Sequence, residues 1–139
     1  MQDNSRLVTF VYQKKKRIPM ECQVREYIFK DCPIRQVLSN ICAKWPLLVI
    51  YVMRGEENMR FSAIRKRIPD ISQKMLTSTL RSLEADGFVT RRVFAEVPPR
   101  VEYSLTERAH TFIPLMENLI DWASRNMAGI VHDREKFDA

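Results

Sequence analysis

The chain has 139 residues, of which 45% are apolar and 29% charged, so we expect one globular domain with a single modest core. Its 23 Lys and Arg residues outnumber 17 Asp and Glu, which gives a net charge of +6. Three glycines and two histidines, His110 and His132, disfavour a Gly-rich nucleotide-binding loop and a histidine-based metal or catalytic cluster. The composition therefore favours a small, basic, mostly helical domain without a cofactor or metal.

Residues 1–31 are predicted to be an N-terminal extension, partly flexible or associated with a dimer. They contain no apolar signal core, and the longest apolar run, residues 45–53, is far shorter than the about 20 residues of a membrane span. We therefore expect a cytoplasmic protein with no membrane partner. The cysteines are odd in number and form no C-x-x-C pair, which makes zinc binding and a disulfide framework poor fits: Cys22, Cys32 and Cys42.

Two apolar helices are predicted next. The first begins at Pro33, which suits a first helical turn, and has one apolar face. That face consists of Ile34, Val37, Leu38, Ile41 and Cys42, so we interpret Cys42 as a packing residue. The second helix, residues 46–54, is apolar nearly all round and stops at Gly55, which predicts the central buried helix.

A helix-turn-helix pattern follows. Ser62 is predicted to cap a short third helix that ends at Pro69, and Ser72 to cap a fourth helix that ends at Gly87. Residues 59–81 carry six basic side chains against one acidic residue. The apolar stripe of the fourth helix is Leu76, Leu80 and Leu83, and its opposite face carries Lys74, Thr77, Ser78 and Arg81. A short helix, a tight turn and a helix with a polar outward face are typical of a helix-turn-helix.

The rest of the chain predicts a wing and a long helix. Strands 88–94 and 101–105 alternate in polarity, with Val89 and Val93 facing inward. Thr106 caps a helix that runs to about Met127, and Pro114 should kink or break it. Residues 128–139 are predicted to be a C-terminal tail. The apolar stripe of this helix exceeds what one small core can bury, which predicts a dimer interface of Phe112, Ile113, Met116, Leu119, Ile120, Ala123 and Met127.

The predicted fold class is mainly α with a small β-hairpin (α+β): a winged helix-turn-helix over residues 32–127 with a long C-terminal dimerisation helix. An α-helix fits the major groove of DNA, and basic side chains hold the phosphates. We therefore expect a homodimer that binds double-stranded DNA at a near-palindromic operator. The recognition helix, residues 72–86, would lie in the major groove, and the wing, residues 88–105, on adjacent backbone or minor groove.

The candidate DNA contacts fall into three groups. On the recognition helix they are Ser72, Gln73, Lys74, Thr77, Ser78 and Arg81. Before it, Arg60, Arg65 and Lys66 are expected to contact phosphates, with Arg67 partly packed. In the wing, Arg91 and Arg92 alternate sides, so one at most should face DNA. Arg100 either contacts DNA or pairs with Glu96 or Glu102.

Two other functions compete with DNA binding. A protein–protein interaction module could use the same surface. A surface that binds a protein partner should, however, be more apolar than the basic segment 59–81. An enzyme is disfavoured because no nucleophile, base and orienting group occur together. Glu117 and Asp121 are like charges on one helix without a third group, and His110 is interpreted as a partly exposed helix residue.

A series of short motifs in order resembles the HxlR-type transcription regulators, which are relatives of MarR-type winged helices. Its pieces are Cys32-Pro33, Lys44-Trp45, Arg60-Phe61-Ser62-x-x-Arg65, Ile71-Ser72-x-Lys74-Met75-Leu76-Thr77, Leu80-Arg81-x-Leu83-Glu84-x-Asp86-Gly87-Phe88-Val89 and Val97-Pro98-Pro99-Arg100-Val101-Glu102-Tyr103-Ser104-Leu105-Thr106. The family commonly has a Gly-Gly-Lys-Trp-like sequence where this chain has Cys42-Ala43-Lys44-Trp45, and the N-terminal extension is longer than expected.

The resemblance implies a dimeric, bacterial-type DNA-binding regulator whose N-terminal region and last helix form the dimer interface. Some similar regulators sense oxidants through an N-terminal cysteine at this position. Cys32 precedes a predicted helix start, where backbone amides favour the thiolate, and is therefore a candidate redox sensor. The alternative is that Cys32 is an inert packing residue. The effector would be an oxidant or a small molecule.

Overall fold

The computed structural model of the protein describes residues 33–139, which fall into two units separated between Ala43 and Lys44. The first unit contributes α1 (Pro33–Ile41), whose last residue is buried. The prediction that Cys42 packs on this helix was wrong, because the helix ends one residue earlier and the thiol is exposed. The predicted extension 1–31 and the candidate sensor Cys32 lie outside the described residues.

The second unit, Lys44–Ala139, is a winged helix-turn-helix, as the sequence predicts. Its elements in chain order are α2 (Lys44–Met53), β1 (Met59–Arg60), α3 (Phe61–Arg67), α4 (Gln73–Ala85), β2 (Val89–Phe94), β3 (Arg100–Leu105) and α5 (Glu107–Asp138). Within residues 33–139, no single helix has both the length and the apolar composition of a membrane span; α1 and α2 reach them only when counted together.

The core of this unit forms around α2, as predicted for a helix that is apolar on nearly every side. Val49, Ile50 and Met53 are buried, and α2 packs against α3, α4 and α5. The leucine stripe of α4 is also buried, with Leu76 wholly inaccessible to solvent. Because that stripe faces the core, the opposite face of α4 points into solvent.

The predicted caps of α4 and α5 are confirmed, whereas the cap of α3 is not. Ser72 Oγ accepts a hydrogen bond from the Met75 backbone N–H at 3.0 Å, and Thr106 Oγ1 accepts one from Ala109 N–H at 3.4 Å. Ser62 is not the cap of α3, because Arg60 precedes the helix and makes no capping bond with its side chain. Arg60 ends a short strand, and the chain passes from that strand directly into α3.

The described sheet has three antiparallel strands in the order β1-β3-β2, rather than the predicted hairpin alone. β2 and β3 form the wing, with Val89 opposite Leu105 and Phe94 opposite Arg100. β1 has only two residues, too short for any alternation of polarity, so the sequence gives no signal for it. Val93 is 53% exposed, against its predicted inward position, because the outer half of the wing extends beyond the core.

The last helix, α5, is longer than predicted. It continues past Met127 to Asp138, so residues 128–138 are helical and not an irregular tail. It also contains Pro114 without the predicted break. Gly129, the one glycine in this stretch, has no positive φ and so does not act as a helix stop.

The absence of a side chain at Gly87 is required both by its backbone conformation and by the packing around it. Gly87 ends α4 with φ +77°, and a Cβ there would collide with the guanidinium of Arg108, which donates a 2.7 Å hydrogen bond to the Asp86 carbonyl. Gly55 has a similar φ of +79° but open space around it. We expect Gly55→Ala to lower the free energy of unfolding by about 1 kcal/mol through backbone strain.

Gly87→Ala should cost about 1 kcal/mol more than Gly55→Ala, because it also displaces the Arg108 hydrogen bond. Urea denaturation of the two variants gives this difference directly. Equal losses in the two variants would contradict a packing role for Gly87.

Candidate nucleic-acid interface

The outward face of α4 collects the recognition-helix residues that the sequence predicts. An open concavity of about 550 Å³ is lined by Gln73, Lys74, Thr77, Ser78 and Arg81, all of which are exposed. They occur together because the buried leucines fix the rotation of the helix about its axis. Ser72, the remaining candidate on this segment, serves as the N-cap.

The two hydroxyl groups in the middle of this face are bonded to the helix itself. Thr77 Oγ1 donates to the Gln73 carbonyl at 2.8 Å, and Ser78 Oγ donates to the Met75 carbonyl at 3.0 Å. Their protons are therefore engaged by backbone oxygens. The hydrogen-bond donors that remain for a ligand are the side chains of Gln73, Lys74 and Arg81.

A second concavity, of about 460 Å³, lies between α3 and the start of α4. Its lining includes Ser62, Arg65, Lys66 and Gln73. Gln73 also lines the concavity along α4, so the two form one continuous surface. The candidate phosphate contacts Arg65 and Lys66 thus lie beside the candidate base contacts.

Basic side chains in the described part of the chain divide into paired and unpaired groups. In the helix-turn-helix segment, residues 59–85, five basic side chains are exposed and form no ion pair: Arg60, Arg65, Lys66, Lys74 and Arg81. Arg67, by contrast, donates to the Val52 carbonyl at 3.0 Å and pairs with Glu56 at 2.7 Å. This arginine holds α3 against the end of α2, in line with its predicted partly packed role.

Arg100, the candidate contact at the tip of the wing, is paired within its own hairpin. Its guanidinium lies 3.3 Å from Glu96 and 3.5 Å from Glu102, and it stacks 4.1 Å from the ring centroid of Phe94. This arrangement is the second of the two alternatives predicted for Arg100. The two carboxylates offset its charge, so Arg91 and Arg92, both exposed on β2, are the wing cations available to a ligand.

The predicted interface residues of α5 occupy two different environments. Met116 is 1% exposed and Phe112 packs edge-on against Phe88 with ring centroids 6.2 Å apart, so this part of α5 belongs to the core of its own chain. Met116 is therefore corrected from an interface residue to a core residue. Ile113 is half-buried, whereas Leu119, Ile120, Ala123 and Met127 are exposed.

The exposed apolar surface of α5 is larger than the sequence predicts. Several large side chains outside the predicted set are also exposed: Leu115, Trp122, Ile130, Val131 and Phe137. The residues beyond Met127 were missed because the helix was expected to end there. The spacing of Ile130, Val131 and Phe137 continues the stripe of Ile120 and Met127, and that periodicity was the signal that could have identified them.

The acidic residues of α5 form ion pairs instead of a reactive cluster. Glu117 lies 3.3 Å from Arg54, whose guanidinium also stacks 3.8 Å from the ring centroid of Tyr51. Asp121 pairs with Arg125 one turn later. In the described range, 33–139, no three His, Cys, Asp or Glu side chains are close enough together to hold a metal ion.

Comparisons with known proteins agree with this fold and this order of elements. Residues 40–130 match the family of HxlR-like helix-turn-helix proteins. The HTH-type transcriptional regulator YdeP of Bacillus subtilis is 42% identical over 98 residues, which cover 70% of this chain and 75% of YdeP. An HTH-type transcriptional regulator of Halalkalibacterium halodurans is 41% identical over 97 residues, covering 70% of this chain and 86% of the relative.

Solved structures of transcriptional regulators share the fold of this chain. The regulator ytfH of Salmonella typhimurium superposes with a TM-score of 0.70 at 36% identity, covering 77% of this chain and 95% of ytfH. The redox regulator HypR in its reduced form superposes with a TM-score of 0.65 at 40% identity, covering 72% of this chain and 98% of HypR. These relatives are named as regulators, which supports the prediction of a regulator rather than an enzyme. The chain therefore belongs to the HxlR-like helix-turn-helix family of transcriptional regulators.

Proposed function

We propose that the protein regulates transcription by binding double-stranded DNA in a sequence-specific manner as a homodimer. The observation that carries this proposal is the group of exposed cations without ion pairs in the helix-turn-helix: Arg65, Lys66, Lys74 and Arg81 line the concavities along α4, and Arg60 immediately precedes α3. Exposed cations that no carboxylate neutralises can contact DNA phosphates, and each such contact releases condensed counterions from the DNA. Chromosomal DNA as the ligand implies a cytoplasmic location.

The cations and polar residues of this surface have different roles in the proposal. Arg60, Arg65 and Lys66 precede the recognition helix and contact phosphates, which hold the protein in register. Gln73, Lys74, Thr77, Ser78 and Arg81 lie on α4 and face the bases in the major groove, where Gln73, Lys74 and Arg81 supply the hydrogen-bond donors. Arg91 and Arg92 lie on opposite faces of β2, so one of them contacts adjacent DNA backbone, a role that the paired Arg100 does not take.

The homodimer is supported by the exposed apolar stripe on the outer half of α5. Ile120, Met127, Ile130 and Val131 are each at least 40% exposed, and a second copy of the same helix would bury them. A two-fold axis would separate the two recognition helices by about 34 Å, one turn of DNA. The operator would then be near-palindromic.

Substitutions on α4 and α3 test this division of roles. Arg81→Ala should weaken binding to the preferred operator by about 1–3 kcal/mol and relax the preference at one base pair of each half-site. Lys66→Ala should weaken binding to all sequences by similar factors, since a phosphate contact carries no sequence information. Fluorescence anisotropy with a selected operator and a scrambled duplex measures both effects.

Either of two results would contradict the proposal. The first is a change of site preference in Lys66→Ala with none in Arg81→Ala, which would move base recognition off α4. The second is the absence of duplex binding by the wild-type protein. In that case the winged-helix surface would serve the competing function, a protein–protein interaction module.

We further infer that an oxidant controls DNA binding through Cys32. The support is the position of Cys32 immediately before Pro33, the first residue of α1, together with 40% identity to a redox regulator.

Diamide treatment should change operator affinity at least threefold in the wild type and leave Cys32→Ser unchanged. Cys42→Ser, which removes the exposed thiol, is the control and should respond as the wild type does. A full response in Cys32→Ser would contradict this inference and leave a small molecule as the effector.

A further inference from the structure

The outward face of α4 has cationic donors at its two ends and no free donor at its centre. Lys74 and Arg81 are exposed and unpaired within residues 33–139. Between them, the hydroxyl proton of Thr77 is bonded to the Gln73 carbonyl at 2.8 Å, and that of Ser78 to the Met75 carbonyl at 3.0 Å. The centre of this face therefore presents hydroxyl oxygens and aliphatic carbon.

The hydrogen bond of Thr77 determines what this residue presents to a ligand. Its Cβ carries two substituents, a hydroxyl and a methyl group, and the hydroxyl is turned back to the helix backbone. Thr77 itself is exposed, so the γ-methyl group is the part of the side chain left to meet a ligand. Exclusion of water from a binding groove strengthens such a backbone hydrogen bond and keeps the methyl group in place.

The spacing along α4 sets the methyl group between two donors. Lys74, Thr77, Ser78 and Arg81 follow each other at helical spacing and form one line along the helix. The line is about 10 Å long at 1.5 Å per residue, close to three base-pair steps of about 3.4 Å. An α-helix lying along the major groove would thus face a central base pair with Thr77 and flanking base pairs with Lys74 and Arg81.

We propose, on the basis of the DNA-binding function proposed above, that Thr77 is a specificity-determining residue that selects thymine through its C5-methyl group. Thymine is the one standard base that presents a methyl group in the major groove, and threonine methyl groups are suited to contact it. Lys74 and Arg81 select acceptor-rich edges, such as guanine O6 and N7, on either side. Each half-site therefore contains a thymine flanked within one or two base pairs by guanines.

Replacement of thymine by deoxyuridine tests this contact, because uracil lacks only the methyl group. An operator is first selected with the wild-type protein from random duplexes, and each thymine is then replaced singly. At one thymine per half-site, we expect the wild type to lose affinity about fourfold, equivalent to ~0.8 kcal/mol for one buried methyl-sized group. Replacement at the other thymines should change the affinity less than twofold.

Conservative variants assign the effect to Thr77. Thr77→Ser keeps the hydroxyl group, removes the methyl group and should bind the thymine and uracil duplexes equally. Thr77→Val keeps the methyl group and should retain the fourfold difference. Lys66→Ala, the matched control on the phosphate surface, should bind more weakly overall and also retain this difference.

Each alternative outcome is distinguishable. A selected operator with no thymine sensitive to uracil replacement would overturn the role of Thr77 while leaving sequence-specific DNA binding intact. A fourfold difference that persists in Thr77→Ser would overturn it too, and would transfer the contact to a neighbour such as the half-exposed Met75. Failure to select any sequence would instead contradict the proposed function itself.

Discussion

The affinity of the protein for duplex DNA should fall about 10⁴-fold between 50 and 200 mM salt. A dimer in which Arg60, Arg65, Lys66 and one wing arginine each neutralise one phosphate makes about eight phosphate contacts, and each releases condensed counterions from the DNA. Eight contacts give a slope of about −7 in a plot of log affinity against log salt concentration. Titration of a labelled operator at four salt concentrations measures this slope.

Removing one of these charges should change the slope by a predictable amount. Lys66→Gln deletes two contacts per dimer and should make the slope shallower by about 2. Arg67→Gln is the matched control, because Arg67 is already paired with Glu56 and should leave the slope unchanged. Binding that is indifferent to salt, or equal slopes for Lys66→Gln and the wild type, would contradict the assignment of these residues to phosphates.

A charge on the exposed stripe of α5 should dissociate the proposed dimer. Met127 is 62% exposed in the single chain, so Met127→Lys would leave the core of each protomer intact while burying an ammonium group in the interface. We expect the variant to be monomeric at micromolar concentration and to lose at least about 100-fold in operator affinity, because one half-site alone must then supply the binding energy. Analytical ultracentrifugation and anisotropy measure the two effects.

The opposite side of α5 provides a matched control. Asn118 is exposed and lies about 160° around the helix from the stripe, so Asn118→Lys adds the same charge away from the interface. It should remain dimeric. A folded wild-type monomer at micromolar concentration would contradict the dimer, as would equal behaviour of the two variants.

Periodicity in the sequence was sufficient to predict the helices of the domain, apart from the end of α5 beyond Met127, and the outward face of α4. Leu76, Leu80 and Leu83 recur at helical spacing, and the hydrophobic effect buries that stripe whatever the details of packing. The rotation of α4 follows, and with it the exposure of Lys74 and Arg81. The cap at Ser72 and the stop at Gly87 were also predictable, because each is a local backbone requirement.

Features that depend on tertiary contacts could not be predicted in the same way. The two-residue β1 exists because Met59 pairs with Tyr103, more than 40 residues away in sequence. In the sequence, Arg100 has an acidic residue on each side, Glu96 and Glu102. Only the folded hairpin determines whether the arginine pairs with them. Met116 lies on the same stripe of α5 as residues that are exposed. The point at which burial along α5 stops depends on the extent of the core, and periodicity does not specify that extent.

Methylation interference with dimethyl sulfate tests most directly whether α4 lies in the major groove. This reagent methylates guanine N7 in the major groove and adenine N3 in the minor groove, so one experiment probes both surfaces. We expect interference at guanine N7 in two half-sites whose centres are about 10 base pairs apart. We also expect Arg81→Ala to remove the interference at one guanine per half-site. Interference at adenine N3 alone, with none at guanine N7, would contradict the placement of α4 in the major groove.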